Sequence, residues 1–470
     1  MGGADNIVVN DLSGTGVTQV AIDLASPPGS GIGDLAADSV TVNGTKGDDV
    51  IVVQGQGGSL TVAGLAELVT ISGSEATDAL TVAGGNGNDT LSAATMLANT
   101  VLTLDGGAGN DTIIGSQGAD LLLGGDGNDV VTGGRGNDTA LLGNGNDNDT
   151  FIWNPGDGSD IVEGQAGTDT LVFNGANINE NMDISANGQR ARLSRDVANI
   201  TMDLDGIENI QVNALGGADT ITVNDLTGTD VKQVAIDLSS PAGSGQGDGA
   251  ADSVTVNGTA GDDHITVASS GASVIVNGLA AKVTIAGAEG ANDSLTVDGL
   301  AGNDTINASA LNPGQINLTI NGGAGNDTIT GSRGNDVVIG GTGNDVASLG
   351  AGDDTFIWNP GDASDTVEGQ AGTDTLRFNG ANIDEKIDIS ANGSRARSAA
   401  LDRTPSTAEP ATTSSFKTAD PAPTSSPRPM AHTPRLSRCL GSSWHRAWSR
   451  RAMRTVRRRS PISRRTSSRC

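Results

Sequence analysis

Along much of this chain apolar and polar residues alternate at period two over runs of four to six residues, as in VTQVAIDL, SVTVNG, SLTVAG, LVTISG, ALTVAG and VLTLDGG. Strict alternation places one set of side chains on each face of an extended backbone, so each run predicts a short strand with one apolar face. Val, Ile, Thr and Leu fill the runs, and Asn-Gly, Gly-Gly or Asp-Gly closes them, which is the chemistry of strands and tight turns. No convincing amphipathic helix interrupts the pattern. Short strands with a glycine turn every nine to twenty residues suit stacked hairpins or a β-solenoid. The solenoid is the expected fold, because repeating coils stack small side chains in columns and need little aromatic bulk.

The pattern is sharpest over residues 106–141, which read GGAGNDTII, GSQGADLLL, GGDGNDVVT and GGRGNDTAL, four nine-residue units without a gap. A second array starts at Gly322 with GGAGNDTIT, GSRGNDVVI, GGTGNDVAS and LGAGDDTFI. Both arrays sit inside a longer repeat. DSVTVNGTKGDD from Asp38 returns as DSVTVNGTAGDD from Asp252, 214 residues later, and FIWNPGD recurs at Phe151 and Phe356, 205 residues apart. The shortened offset corresponds to one lost nonapeptide plus two residues of the NDND stretch. A solenoid tolerates such a loss because each coil touches only its neighbours. The expected organisation is a first long unit over 1–212, a second over 213–397, and a Pro/Ser/Arg-rich tail over 398–470, with rolls at about 84–172 and about 299–377.

Within a unit the glycines permit positive φ and close backbone approach, which turns carbonyl oxygens toward one concave side. The sixth-position Asp adds a carboxylate there. Six to eight oxygens at about 2.3–2.6 Å suit calcium, whereas magnesium wants a smaller and stricter octahedron. Two units complete a coil, so units two apart stack. Asp111 should face Asp129, Asp120 should face Asp138, and Asp129 should face Asp147 in the irregular GNGNDND. In the second array Asp327 should face Asp345, and Asp336 should face Asp354. The expected ligands are these carboxylates with the carbonyls of Gly106, Gly109, Gly124, Gly127, Gly322, Gly325, Gly340 and Gly343, for at least four or five calcium ions. Isolated or degenerate units offer weaker ligands at Asp49, Asp89, Asp160, Asp169, Asp263, Asp304, Asp365 and Asp374. The middle residue of each terminal triplet, such as Ile113, Leu122 and Val131, should point inward.

These blocks resemble the repeats-in-toxin (RTX) family, the parallel β-roll of hemolysin-type calcium-binding proteins. The resemblance covers about 80 residues in two blocks and implies calcium binding, export by a type I system of Gram-negative bacteria, and an uncleaved C-terminal signal. The Arg-rich terminus of this chain departs from such signals.

Charge fits a cation-dependent fold. Residues 1–397 carry 12 basic against 53 acidic side chains, and a body this acidic repels itself when compact unless cations join it. From Ser398 the balance reverses to 15 basic against three acidic residues, with eight of the 14 prolines. That tail is expected to be disordered, or to be the same repeat read out of frame, since two bases per codon across 403–412 permit DTLDGGAGN. Nucleic-acid binding is not expected of so acidic a body. Both cysteines, Cys439 and Cys470, lie in the tail, so the body has no disulfide framework or thiolate zinc site. No secretory signal peptide and no membrane span are visible.

The only histidines are His264, His432 and His445, and HExxH, GxSxG and P-loop signatures are missing, so a non-enzymatic protein is expected. Trp153 and Trp358 are expected to cover the apolar end of a roll, and His264 to be inert. The expected function is a secreted or surface-attached structural or adhesive array that folds on calcium outside the cell, with polysaccharide or the type I machinery as further partners. The alternative is the C-terminal secretion and folding module of a larger RTX enzyme.

Overall fold

The computed structural model describes residues 2–97, 100–143, 145–382, 385–392, 395–402 and 412–417. Strands dominate, and among the described residues the one helical element is a single 3₁₀ turn at Val197–Asn199. Successive strands alternate between two sheets. Asn6–Val9, Ser39–Asn43, Ala79–Asn86, Val101–Ala108, Asp120–Asp126 and Thr139–Leu141 pair in parallel in the first. Thr90–Ser92, Thr112–Ile114, Val130–Thr132, Thr150–Trp153 and Thr170–Asn174 do so in the second. Thr112 lies opposite Val130 and Leu121 opposite Thr139, so a coil takes 18 residues in the first array.

In-register stacking aligns the inward side chains in columns. Leu91, Ile113, Val131, Phe151 and Leu171 follow one another down the second sheet, all fully buried. Each such aliphatic side chain contributes roughly 1.5–3 kcal/mol on burial. Ile113, Leu122 and Val131 are buried as the triplet rule expects.

Solenoid coils and antiparallel hairpins are both present. The parallel run is interrupted where the chain doubles back as three antiparallel strands: Val50–Gln56, Ser59–Ala63 and Leu68–Ser72; Asn181–Asn187, Arg190–Arg195 and Ile200–Asp205; His264–Ser270, Ser273–Asn277 and Lys282–Ala286. The returning strand docks in parallel on the preceding coil, as Ile200–Asp205 does on Ile161–Glu163. The sheets run without a break from the first long unit into the second, through Thr170–Asn174, Asn209–Asn213 and Gln233–Asp237.

The lost nonapeptide has a geometric result. It is half a coil, so everything after it changes sides. Thr150–Trp153 belongs to the second sheet, whereas its counterpart Thr355–Trp358 pairs with Val337–Thr342 in the first.

The tryptophans do not cover an end. Trp153 lies fully buried in mid-roll, because coils continue on both sides of it, and it stacks on Phe173 at 4.3 Å and 7°. Its Nε1 donates to the Gly158 carbonyl at 2.8 Å. Trp358 repeats the arrangement on Phe378 at 4.1 Å and 5°. Phe151, Phe173, Phe356, Trp153 and Trp358 are all buried inside.

Pairing also continues past the composition change at Ser398. Arg395–Asp402 pairs antiparallel with Glu385–Asn392 and with Thr412–Lys417, and the last of these docks in parallel on Thr366–Glu368. The rest of the expected tail, including Cys439 and Cys470, lies outside the described residues.

Candidate metal centre

Each glycine-rich turn leads into a strand through its sixth-position Asp, and register stacks these residues in ladders on both edges of the roll. The Asp89 amide donates to Asp111 Oδ1 at 2.7 Å, and the Asp111 amide donates to Asp129 Oδ1 at 2.7 Å. On the other edge the Asp120 amide donates to Asp138 Oδ1 at 2.9 Å, and the Asp138 amide to Asp160 Oδ1 at 2.9 Å. The second array repeats this from Asp304 to Asp327, from Asp327 to Asp345 and then Asp365, and from Asp336 to Asp354 and then Asp374. Asp49 and Asp263 join at the start, donating to Asp89 and Asp304. Asp169 closes the first ladder by donating to Glu208 Oε2 at 2.7 Å.

Asp129 is met by Asp149, whose Oδ1 accepts its amide at 2.8 Å, and not by Asp147. Two extra residues in GNGNDND push the turn outward, so Asp147 remains partly exposed and its Oδ2 accepts from Gly127 at 3.0 Å. The residue directly before the Thr-apolar pair, as in Asp111-Thr112-Ile113, was the signal for Asp149.

The second carboxylate oxygen carries the chemistry. Oδ2 of Asp89, Asp111, Asp129, Asp138, Asp149, Asp160 and Asp169 is buried and accepts no hydrogen bond from the protein, and the same holds for Asp304, Asp327, Asp345, Asp354, Asp365 and Asp374. A buried, unpartnered carboxylate oxygen is costly, and one column of them in register is a strong demand for cations. The first-position glycine makes the room. A Cβ placed on Gly106 would stand 2.4 Å from Asp111 Oδ2 and 2.5 Å from the Gly124 carbonyl. At Gly322 it would stand 2.4 Å from Asp327 Oδ2 and 2.5 Å from the Gly340 carbonyl. Carboxylate and carbonyl of successive coils therefore converge where a side chain would intrude. Fourth-position glycines form their own column: a Cβ on Gly127 would meet the Gly109 carbonyl at 1.9 Å, and one on Gly343 the Gly325 carbonyl at 1.6 Å.

Among the described residues no three His, Cys, Asp or Glu side chains gather at one point. The oxygens that converge at Gly106 and Gly322, one carboxylate with one carbonyl, suit a hard cation of loose geometry. Sequence reasoning missed a companion ladder at position five, where the Asn110 amide donates to Asn88 Oδ1 and the Asn128 amide to Asn110 Oδ1, both at 2.8 Å. His264 is exposed on its strand.

Burial pushes Asp111 up to about 6, Asp129 to about 7 and Asp138 to about 8, with neighbouring carboxylates raising them further. Asp345 rises to about 6 and Asp354 to about 7 for the same reasons. A carboxyl raised on folding stabilises the fold fully below its unfolded value, and that contribution is lost as pH climbs through the folded value. In chelator, circular dichroism should accordingly show more strand at about pH 5 than at about pH 8, because protons neutralise the same oxygens. An unchanged or opposite trend would contradict the assignment of these carboxylates as the destabilising groups.

Coils of two short strands and two glycine-rich loops, with carboxylates in register at the loops, define a parallel β-roll. The family model for the RTX calcium-binding nonapeptide repeat (4 copies) matches residues 81–94, 105–140, 114–150, 156–177, 296–310 and 319–356, so the chain carries RTX-type calcium-binding repeats. No curated protein matches the chain. Among solved structures it is similar to the extracellular lipase LipA from Serratia marcescens, at 16% identity and a TM-score of 0.17, over 73% of this chain and 43% of that one. The chain thus spans less than half of that lipase.

Proposed function

We propose that this chain is a non-enzymatic structural array of a secreted or surface-attached protein, switched from coil to roll by calcium outside the cell. The observation that carries the reading is the column of buried Oδ2 atoms facing carbonyls of the next coil. Asp111, Asp129, Asp138, Asp327, Asp345 and Asp354 would hold the ions with the first-position carbonyls, and calcium supplies the positive charge these oxygens require. Without it the carboxylates repel one another and the glycine-rich turns lose entropy on ordering that the small core cannot offset. Sites of extracellular type, with Kd on the order of 10⁻⁴–10⁻³ M, fill at about millimolar calcium and stay empty at lower levels. An unfolded chain also suits passage through a narrow export channel, with the type I machinery as the partner. Polysaccharide is the partner class for an adhesive role, tested by cell or glycan binding that disappears in chelator.

Asp129→Ala and Asp345→Ala test the ligand assignment. Each should raise the calcium concentration at half-folding by several-fold, up to about tenfold for a site worth about 1.4 kcal/mol. Calcium-dependent folding unchanged in both variants would remove these carboxylates from the set.

A further inference from the structure

The units fall into two conformational classes, divided by the residue at position two. Where that residue has positive φ, the following carboxylate keeps a free Oδ2. Gly107 (φ 101), Gly125 (113), Gly323 (101) and Gly341 (91) precede Asp111, Asp129, Asp327 and Asp345, all unpartnered at Oδ2. The class is not confined to glycine. Gln165 (69), Leu215 (71), Leu300 (68) and Gln370 (67) adopt positive φ too, and Asp169, Asp219, Asp304 and Asp374 after them are likewise free. A non-glycine residue held there is strained, and such strain persists where function requires it.

Where position two is Ser or Thr, it is not among the positive-φ residues, and its amide turns inward onto the carboxylate. Ser116 donates to Asp120 Oδ2 at 2.5 Å, and its hydroxyl donates to Asp120 Oδ1 at 2.9 Å. Ser332 treats Asp336 identically, at 2.5 and 2.7 Å. Thr45 caps Asp49 at 2.6 Å and Thr259 caps Asp263 at 2.7 Å. None of these four carboxylates has an unpartnered buried oxygen.

We infer that position two sets whether a unit takes calcium: positive φ leaves an open half-site, while Ser or Thr closes it with the chain's own N–H and makes that turn independent of the metal. The inference rests on the calcium-folding reading above and refines it, assigning Asp49, Asp120, Asp263 and Asp336 to metal-free turns. Each of these carboxylates is the first rung of its ladder, leading to Asp89, Asp138, Asp304 and Asp354, so each ladder opens on a turn already satisfied before any ion binds. A carboxylate that already accepts two hydrogen bonds gains less from a cation than one that accepts none on its second oxygen.

Calcium stoichiometry on the full chain, by equilibrium dialysis with metal analysis, tests this in both directions. Ser116→Gly/Ser332→Gly opens two closed units and should bind two more ions than the parent, while losing strand content in chelator at acid pH. Leu300→Thr converts GLAGND into the GTAGDD type of turn without adding a new Cβ, and should bind one ion fewer. Equal stoichiometry in the parent and both variants overturns the inference while leaving calcium-dependent folding intact. A parent chain that takes up no calcium overturns both.

Discussion

In EDTA near neutral pH the far-ultraviolet strand signal of the purified chain falls to that of a coil, and it returns on adding about millimolar calcium. The magnitude follows from mass action. At about tenfold excess over Kd each site contributes about 1.4 kcal/mol, so four or five sites supply about 6–7 kcal/mol. That is comparable with the entire net stability of an ordinary domain, about 5–15 kcal/mol. The metal-free fold starts from a deficit, because its carboxylates are buried with one oxygen unpartnered along both edges. Far-ultraviolet circular dichroism and calorimetry against free calcium measure the transition. A chelated chain that keeps its full strand signal near neutral pH would refute a metal-dependent fold.

Arg195→Ala destabilises the coils around residues 153–220 by about 3–5 kcal/mol, since it leaves a buried carboxylate without its cation. Glu180 occupies a ladder position: its amide donates to Asp219 Oδ1 at 2.8 Å, and its Oε2 accepts from Ala176 at 2.8 Å. Its other oxygen is held by the Arg195 guanidinium, and both side chains are almost fully buried. The guanidinium also lies 5.2 Å from the Trp153 ring centroid. At this rung the polypeptide carries its own cation, so the loss should appear in calcium-saturated protein. The double variant Arg195→Met/Glu180→Gln should recover much of it, because no uncompensated charge remains. Urea denaturation followed by tryptophan fluorescence reads the effect. A single variant as stable as the parent would show that the pair is dispensable.

The roll itself was legible because a nine-residue period fixes which side chains share an edge, and Asp111, Asp129, Asp327 and Asp345 lie where that period places them. The Asp149 rung was obscured by two extra residues, since counting along the chain assumes constant loop length. The antiparallel excursions share period-two alternation with the parallel strands, and alternation carries no information about chain direction. The position of Trp153 depended on how many coils follow it, which is a property of the whole array. The split between free and capped carboxylates depends on backbone φ, which Gln165 and Leu300 adopt against their own preference, so composition alone would have misplaced them.

The change of sides at the missing nonapeptide means that length and orientation are controlled separately in this architecture. An even number of inserted units only lengthens the rod, while an odd number sends every downstream feature to its back. The excursion at Asn181–Arg195 and its counterpart at Glu385–Asp402 therefore belong to opposite sheets, although both contain the ISANG stretch. One half-coil difference between the two long units thus gives a one-sided decoration two aspects.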